Sequence, residues 1–212
     1  MEDFLDPTII GAFITALGAL GAVFLKKKYD QKTCKFDPIK EDVNQNASVY
    51  TALNYTLEKT NADRCYVFQF HNGGRYYSGR GEQKFSCTHE VIKHGISREC
   101  ANLQGLRVSN FHYLIDTLVN DEKFSFYDVS KIEDYSYLSF LRERGIEGTY
   151  NCLIKTLNGK LIGVLSLDYV KEGATESGVP VKFDPDAKSK LDDEEFHLLM
   201  KRQAKIISGY LV

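Results

Sequence analysis

The fold is decided by residues 149–170, which read TYNCLIKTLNGKLIGVLSLDYV. Apolar and β-branched residues dominate both halves of this stretch, as is typical of strands. Asn158-Gly159 lies between the halves, and this dipeptide favours a type I′ turn, which needs a positive φ at both central residues. The stretch therefore predicts two antiparallel strands, at residues 148–156 and 160–170, joined by a tight hairpin.

Upstream of the hairpin, the sequence predicts one long helix and two more strands. Pro38 suits the first turn of a helix, and apolar residues recur at three- and four-residue steps as far as Thr60. We place Ile39, Val43, Ala47, Tyr50, Leu53 and Leu57 on its buried stripe. The aromatic run 65–70 predicts a strand that is broken by residues 71–74, and residues 84–92 predict the next strand.

The remaining chain mixes helices and short extended segments. We predict helices at 112–119 and 131–144, a short strand at 124–127 and a polar loop at 171–189. A final helix at 192–210 begins with four acidic residues, which suit the positive end of its dipole. Strands that follow one another, without strict alternation with helices, predict an antiparallel sheet in an α+β domain.

The amino-terminal segment has a different character. Residues 8–25 carry no charge, and Lys26, Lys27 and Lys28 follow at once. Eighteen such residues suit a single membrane-spanning helix, and the lysines predict an outside N-terminus and a cytoplasmic C-terminal domain. A cleaved signal peptide fits less well because the start is acidic, and a buried core helix would keep a polar stripe.

The predicted organisation has four parts. They are an acidic tail at 1–7, the transmembrane helix at 8–25, a basic linker at 26–37 and an α+β domain at 38–212. Lys26, Lys27 and Lys28 are the predicted contacts with the lipid bilayer, where each lysine contributes about 1 kcal/mol of attraction to anionic lipid. The formal net charge of −2 argues against a nucleic-acid partner, and five cysteines, an odd number, fit a reducing compartment.

Residues 38–212 resemble a GAF-type domain, the sensor fold related to PAS. The resemblance rests on the long first helix, the strand at 65–70, and the closing pair YNCLI at 150–154 and LIGVLSLDY at 161–169. It implies a small-molecule pocket between the sheet and the helical middle, and homodimers formed through the first and last helices. No NKFDE signature and no bilin-attachment cysteine is recognisable, so the cofactor stays unknown. The whole chain is also similar to small membrane-anchored proteins of tailed bacteriophages.

The segment HNGGRYYSGR at 71–80 is the most site-like part of the sequence. Glycines expose backbone N–H groups, arginines donate in pairs and tyrosines offer flat faces, a combination that suits a carboxylate, phosphate or nucleobase. A tight structural turn is the alternative. The predicted ligand-binding residues are His71, Asn72, Arg75, Tyr76, Tyr77, Arg80, Lys84 and Ser86.

Metal binding and catalysis find less support in the residue pattern. Cys87, His89, His94 and Cys100 lie close in sequence, but neither a CxxC nor an HxxxH pair is present, so we predict no metal. No nucleophile has a recognisable activating partner, and we predict no catalytic residue. The predicted function is a membrane-anchored, non-catalytic GAF-like domain that binds a small ligand or a protein partner. The alternatives are a holin-like phage lysis protein and a GAF-type reductase that uses the thiols of Cys87, Cys100 and Cys152.

Overall fold

The structure is a computed structural model, and it describes residues 7–33, 37–170 and 194–212. The chain divides between residues 44 and 45 into two units. The α-helices are α1 (Pro7–Thr33), α2 (Pro38–Thr60), α3 (His112–Asp121), α4 (Tyr135–Arg142) and α5 (Glu194–Ser208). The strands are β1 (Arg64–Arg75), β2 (Gly81–Ile92), β3 (Leu106–Arg107), β4 (Lys123–Phe126), β5 (Ile146–Lys155) and β6 (Leu161–Val170), and short 3-10 helices span Val108–Phe111 and Val129–Lys131.

The first unit contains helix α1, which covers the uncharged run and the lysines that follow it. Seven large apolar side chains between Phe13 and Leu25 are each at least 61% exposed, and Lys26, Lys27 and Lys28 are exposed as well. The Thr15 hydroxyl donates to the Gly11 carbonyl at 2.7 Å, so the lone polar side chain in this stretch is satisfied within the helix. Within the described part of the chain, no helix has the combination of length and apolarity that a membrane crossing requires.

The second unit is built on a six-stranded sheet in the order β3-β2-β1-β6-β5-β4, and every neighbouring pair is antiparallel. Strands β5 and β6 are buried over most of their lengths, and β1 is buried over its first five residues. The antiparallel sheet confirms the predicted α+β class. The predicted strands at 65–70 and 84–92 lie within it, and those at 148–156 and 160–170 match β5 and β6 to within two residues.

Each face of the sheet carries its own core, because alternate side chains of a strand point to opposite faces. On one face, α2 and α5 pack on the sheet around Leu53, Leu165 and Met200. The other face carries α3, α4 and both 3-10 helices, packed around an aromatic core that includes Phe85, Phe111, Phe124 and Tyr137. The sheet therefore lies between a mainly aliphatic core under α2 and α5 and a mainly aromatic core under α3 and α4.

The predicted buried stripe of α2 is wrong in its first half. Ala47 and Tyr50 are exposed, whereas Leu53 and Leu57 are buried as predicted. The buried stripe includes Thr56 and Thr60, whose hydroxyls donate to carbonyls one turn earlier, at 2.7 and 2.8 Å. Local satisfaction of these hydroxyls lets threonines occupy core positions, which an analysis of apolar residues alone does not anticipate.

Strand β1 does not end at residues 71–74, contrary to the prediction. It continues to Arg75, with a bulge between Asn72 and Gly74. Gly74 has a φ of +127°, a conformation open to glycine but costly for other residues, and pairing with β2 resumes beyond it. Gly73 and Gly74 therefore lie at the bulge in β1 and do not end the strand.

The predicted type I′ turn at Asn158-Gly159 is also wrong. A type I′ turn needs a positive φ at both central residues. Gly159 has a φ of +81°, but Asn158 is not among the described residues whose φ is positive. The Gly159 N–H donates to the Thr156 carbonyl at 2.9 Å, and the Thr156 N–H donates to the Lys160 carbonyl at 2.9 Å. This pattern is a turn closed by a glycine in the left-handed region, a common alternative for hairpins.

The predicted helix at 131–144 is shorter in the structure. A 3-10 turn covers Val129–Lys131, and α4 begins at Tyr135 because the Asp134 carboxylate accepts the Tyr137 N–H at 2.6 Å. Helix α5 agrees with the predicted final helix over Glu194–Ser208. The predicted loop at 171–189 lies outside the described residues.

The end of α2 is tied directly to β6. The Tyr169 hydroxyl donates to the carbonyl of Thr60 at 3.0 Å, and the Val170 N–H donates to the Asp63 carboxylate at 2.8 Å. Both Tyr169 and Asp63 are buried. The last turn of α2 is therefore fixed to the central strand of the sheet.

Candidate ligand-binding site

A cavity of about 40 Å³ lies between the sheet and the aromatic layer. A single water needs about 10–15 Å³ of cavity volume, so this cavity has room for roughly three waters. Its walls are mainly aromatic and aliphatic, and include Phe68, Phe85, Phe111, Leu114, Phe140 and Val164. The position matches the pocket that the GAF resemblance implied.

The sheet side of this cavity is polar, although it lies at the centre of the domain. Two rows of side chains cross strands β1, β6 and β5 in register, and we call them the polar floor. The rows are Tyr66–Ser166–Asn151 and Arg64–Asp168–Thr149. All six residues are buried. Buried polar groups are costly unless they are paired, so such a concentration requires a structural or binding role.

Most of the polar floor is joined by hydrogen bonds. The Ser166 hydroxyl donates to the Asn151 side-chain oxygen at 2.5 Å, and the Asn151 amide donates to the Thr149 hydroxyl at 3.1 Å. The Thr149 hydroxyl lies 3.0 Å from a carboxylate oxygen of Asp168. These contacts fix the side chains of β5 and β6 relative to one another.

Tyr66 is the exception within the polar floor. Its side chain is 1% exposed, and its hydroxyl has no hydrogen-bond partner among the described residues. After burial, the Asp168 carboxylate raises the pKa of Tyr66 further, through its charge and through a weak hydrogen bond, although the two groups do not reach the geometry of a full hydrogen bond. A buried hydroxyl that lines a cavity and lacks a partner is a candidate for contact with a ligand.

Asp168 has an unusual protonation equilibrium. Burial raises its pKa to about 6, and the nearby Arg64 guanidinium and the Thr149 hydroxyl oppose that shift without cancelling it. The carboxyl therefore changes charge close to neutral pH, which ordinary aspartates do not.

The eight residues predicted to bind a ligand lie elsewhere, on the β1–β2 hairpin. The cavity is lined by other residues, and most of the eight are exposed around the hairpin tip. Arg80 lies over the Tyr76 ring, 5.4 Å from its centroid, and His71 Nε2 lies 2.9 Å from the Ser86 hydroxyl. Lys84 pairs with the buried Glu82 at 3.5 Å. The structure brings the eight together on one hairpin, and their binding role stays a prediction.

The thiols are arranged unfavourably for the reductase alternative. Cys87 and Cys152 are both buried and belong to cores on opposite faces of the sheet. Burial raises the pKa of Cys87 well above its usual range and raises the pKa of Cys152 to about 12. Since the thiolate is the nucleophile, these two side chains are held in their unreactive form.

Three of the four residues considered for metal binding, Cys87, His89 and Cys100, are engaged in other contacts. His89 Nε2 lies 2.7 Å from the Asn46 side-chain oxygen, and the Cys100 thiol donates to the Cys87 carbonyl at 3.3 Å. Among the residues that the structure describes, no three or more His, Cys, Asp or Glu side chains are grouped to hold a metal ion.

Sequence reasoning did not find the polar floor, although a signal for it exists. Thr149 and Asn151 are two residues apart on one predicted strand, and Ser166 and Asp168 are two apart on its partner. Polar residues at a period of two within otherwise apolar, buried strands indicate one face with a special role. Attention to local composition favoured the Gly- and Arg-rich hairpin instead.

No family profile matches this sequence, and no curated protein matches it. Solved structures of GAF domains do match. The blue-light absorbing form of the Thermosynechococcus elongatus PixJ GAF domain has a TM-score of 0.52 at 15% identity, over 82% of this chain and 90% of that one. A GAF domain region from Geobacter sulfurreducens has a TM-score of 0.51 at 11% identity, over 82% and 98% of the two chains.

A third match is the photoproduct state of a GAF3 domain from Synechocystis, with a TM-score of 0.50 at 14% identity over 79% and 92% of the chains. Identities this low establish the fold and nothing finer. The α+β domain therefore has a GAF-like fold, as the resemblance of its sequence implied.

Proposed function

We propose that the GAF-like domain binds a small ligand in the cavity above the polar floor, and that it acts as a sensor without catalysing a reaction. The observation that carries this function is the Tyr66 hydroxyl, which is buried, lines the cavity and has no hydrogen-bond partner within the described part of the chain. Buried polar groups of this kind are normally satisfied, and a ligand would satisfy this one. An apolar enclosure with a few convergent polar groups is the usual form of a small-molecule site.

Two of the similar domains are described as light-absorbing or as a photoproduct. A pigment for visible light is a large conjugated molecule, whereas this cavity has room for roughly three waters. We therefore propose a smaller ligand for this chain.

Native mass spectrometry of the purified full-length protein tests ligand binding, with Val164→Ile as the blocking variant. The added methylene lies in the cavity wall, so we expect a co-purified small molecule in the wild type and its loss in the variant. Val91→Ile is the matched control, because Val91 belongs to the core on the opposite face of the sheet. Retention of the molecule in Val164→Ile would place binding elsewhere, and loss in Arg75→Ala would favour the β1–β2 hairpin.

We also propose that the amino-terminal helix attaches the protein to a bilayer, as the uncharged run and the three lysines predict. The exposure of its large apolar side chains supports this proposal. The side chains of Ile9 and Ile10 in the same run lie outside the described residues. Flotation of the full-length protein with vesicles tests attachment. We expect Lys26→Glu, Lys27→Glu and Lys28→Glu together to weaken flotation with anionic vesicles, and recovery of the wild type in the unbound fraction would contradict the proposal.

A homodimer through α2 and α5 is the proposed assembly. A groove between these helices is lined by Tyr55, Arg202, Ile206 and Tyr210, and its large apolar side chains are about 40% exposed. Light scattering on the full-length protein tests the dimer, and Ile206→Glu should yield monomers. A wild-type monomer would contradict this assembly.

A further inference from the structure

The unsatisfied groups at the cavity can each donate a hydrogen bond; a guanidinium N–H can only donate, whereas a tyrosine hydroxyl can also accept. One is the Tyr66 hydroxyl on β1, and the other is the Nε of Arg144, which follows α4. Both residues line the cavity, and neither atom has a hydrogen-bond partner among the described residues. A bound group that completes this site must therefore supply an acceptor.

Other contacts hold the Arg144 guanidinium in place and explain why Nε is left over. One terminal nitrogen donates to the Phe140 carbonyl at 2.7 Å, and the guanidinium carbon lies 3.7 Å from the centroid of the Phe140 ring. The carboxylate of Glu99 is 3.9 Å from Nε, too far for a hydrogen bond. The side chain is thus positioned before any ligand arrives, which lowers the entropic cost of binding.

Two acceptors close to the cavity already have partners within the polar floor. The Asn151 oxygen accepts from Ser166, and Asp168 has both the Thr149 hydroxyl and the positive charge of Arg64 beside it. The positive charges of Arg64 and Arg144 are balanced by nearby carboxyl groups, those of Asp168 and Glu99. Hydrogen bonding, and not net charge, therefore favours a ligand that accepts hydrogen bonds at this end of the cavity.

The opposite walls are apolar. Phe85, Phe111 and Phe140 form edge-to-face contacts, and Leu114 and Val164 complete the enclosure. Such walls offer no partner to a second polar group. A bound molecule can therefore be polar only at the end that meets Tyr66 and Arg144. A polar group at its other end would lose its hydration and gain no hydrogen bond in return.

We infer that the ligand is a small, mostly apolar molecule that presents one carbonyl or carboxyl oxygen to Tyr66 and Arg144. This inference rests on the proposed ligand-binding function and specifies the chemical class. Acetone, acetamide and acetate carry the required oxygen on a body of four heavy atoms, whereas ethylammonium has a similar size and only donors. The comparison of the three acceptors separates a neutral carbonyl from an anionic carboxylate.

The test is a chemical-shift titration of the full-length protein with each of these four compounds. Four heavy atoms bind no tighter than about 40 µM, so the titration extends through the millimolar range. We expect saturable shifts at residues that line the cavity with at least one acceptor compound, and none with ethylammonium. Tyr66→Phe should weaken acceptor binding by about 3- to 10-fold, the usual range for one neutral hydrogen bond. Tyr150→Phe, whose hydroxyl lies on the other face beside His197, should leave it unchanged.

The outcomes distinguish the inference from the function on which it rests. Saturable cavity binding of ethylammonium, or equal acceptor affinity in wild type and Tyr66→Phe, would overturn the acceptor inference and leave the binding cavity intact. No cavity shifts with any of the compounds, together with no co-purified molecule, would overturn both. Binding that survives Tyr66→Phe but is lost in Arg144→Lys would move the contact to Arg144 alone and overturn the two-donor arrangement.

Discussion

Arg64 and Asp168 face each other across β1 and β6, but the guanidinium directs its hydrogen bonds away from the carboxylate. It donates to the backbone and hydroxyl oxygens of Ser97, at 3.0 and 2.8 Å, and to the Arg144 carbonyl at 3.4 Å. The buried arginine thus connects β1 to the segments before β3 and after α4. Among the residues that the structure describes, none forms a close ion pair with Asp168 to offset its burial, and its pKa rises to about 6.

Asp168→Asn should change how stability depends on pH. Between about pH 4 and pH 6 the native carboxyl holds a proton that the unfolded one has released, so native stability falls as pH rises through this window and remains lower above it. A shift of about two pKa units corresponds to about 3 kcal/mol. The free energy of unfolding of the variant, relative to the wild type, should therefore increase by up to about 3 kcal/mol from pH 4 to pH 7.

Urea unfolding at several pH values measures this difference. Asp116→Asn, on the exposed side of α3, is the control and should follow the wild type. If the unfolding free energies of Asp168→Asn and the wild type change in parallel with pH, Asp168 has an ordinary pKa and the prediction is wrong.

Tyr66→Phe should stabilise the ligand-free protein, which is unusual for a substitution in a core. An unsatisfied buried hydroxyl costs about 1–3 kcal/mol, and phenylalanine keeps the ring while removing that group. Tyr150→Phe provides the contrast, because the Tyr150 hydroxyl is hydrogen-bonded to His197. The Tyr150→Phe variant should lose about 1 kcal/mol of unfolding free energy. Denaturant midpoints that move in the same direction for both variants would contradict this assignment.

Gly163→Ala should be strongly destabilising, because β1 passes directly beside it. A Cβ at this position would lie 2.1 Å from the Phe68 carbonyl oxygen, a backbone atom in the centre of the sheet. The strands must separate to admit it, at a cost of about 1–3 kcal/mol or more. Gly81→Ala in β2 is the control, since its nearest contact would be 3.6 Å away, on a flexible side chain. Similar thermal midpoints for the two variants would indicate that β6 relaxes easily.

Glu122→Gln should lower the free energy of unfolding only slightly, and this loss should disappear at high salt concentration. Glu122 bonds both Lys155, at 2.9 Å, and Lys201, and these lysines lower its pKa to about 2. The side chain is about half exposed, so the network contributes about 1 kcal/mol or less. That contribution is present above pH 4.5 and is lost as pH falls towards 2. A loss that persists in 1 M NaCl would point to packing instead of charge.

Local patterns in the sequence predicted the elements better than they predicted the site. Helix α2 and strand β6 were found because periodicity and the glycine-bounded apolar run are local properties. Four of the six residues of the polar floor, Thr149 and Asn151 with Ser166 and Asp168, lie in the predicted hairpin and were overlooked, whereas Tyr66 and Arg64 join it only through the pairing of β1 with β6, across about 100 residues of sequence. The stripe of α2 was misplaced because Thr56 hides its hydroxyl within the helix, an effect that depends on rotamer and burial.

Asp168 and Tyr169 are consecutive in β6 and point to opposite faces of the sheet. The first borders the cavity, and the second holds the carbonyl at the end of α2. A rigid strand does not let one of two adjacent residues shift without the other. A displacement of β6 at the cavity would therefore also move, on the other side of the sheet, the tyrosine that holds the closing turn of α2.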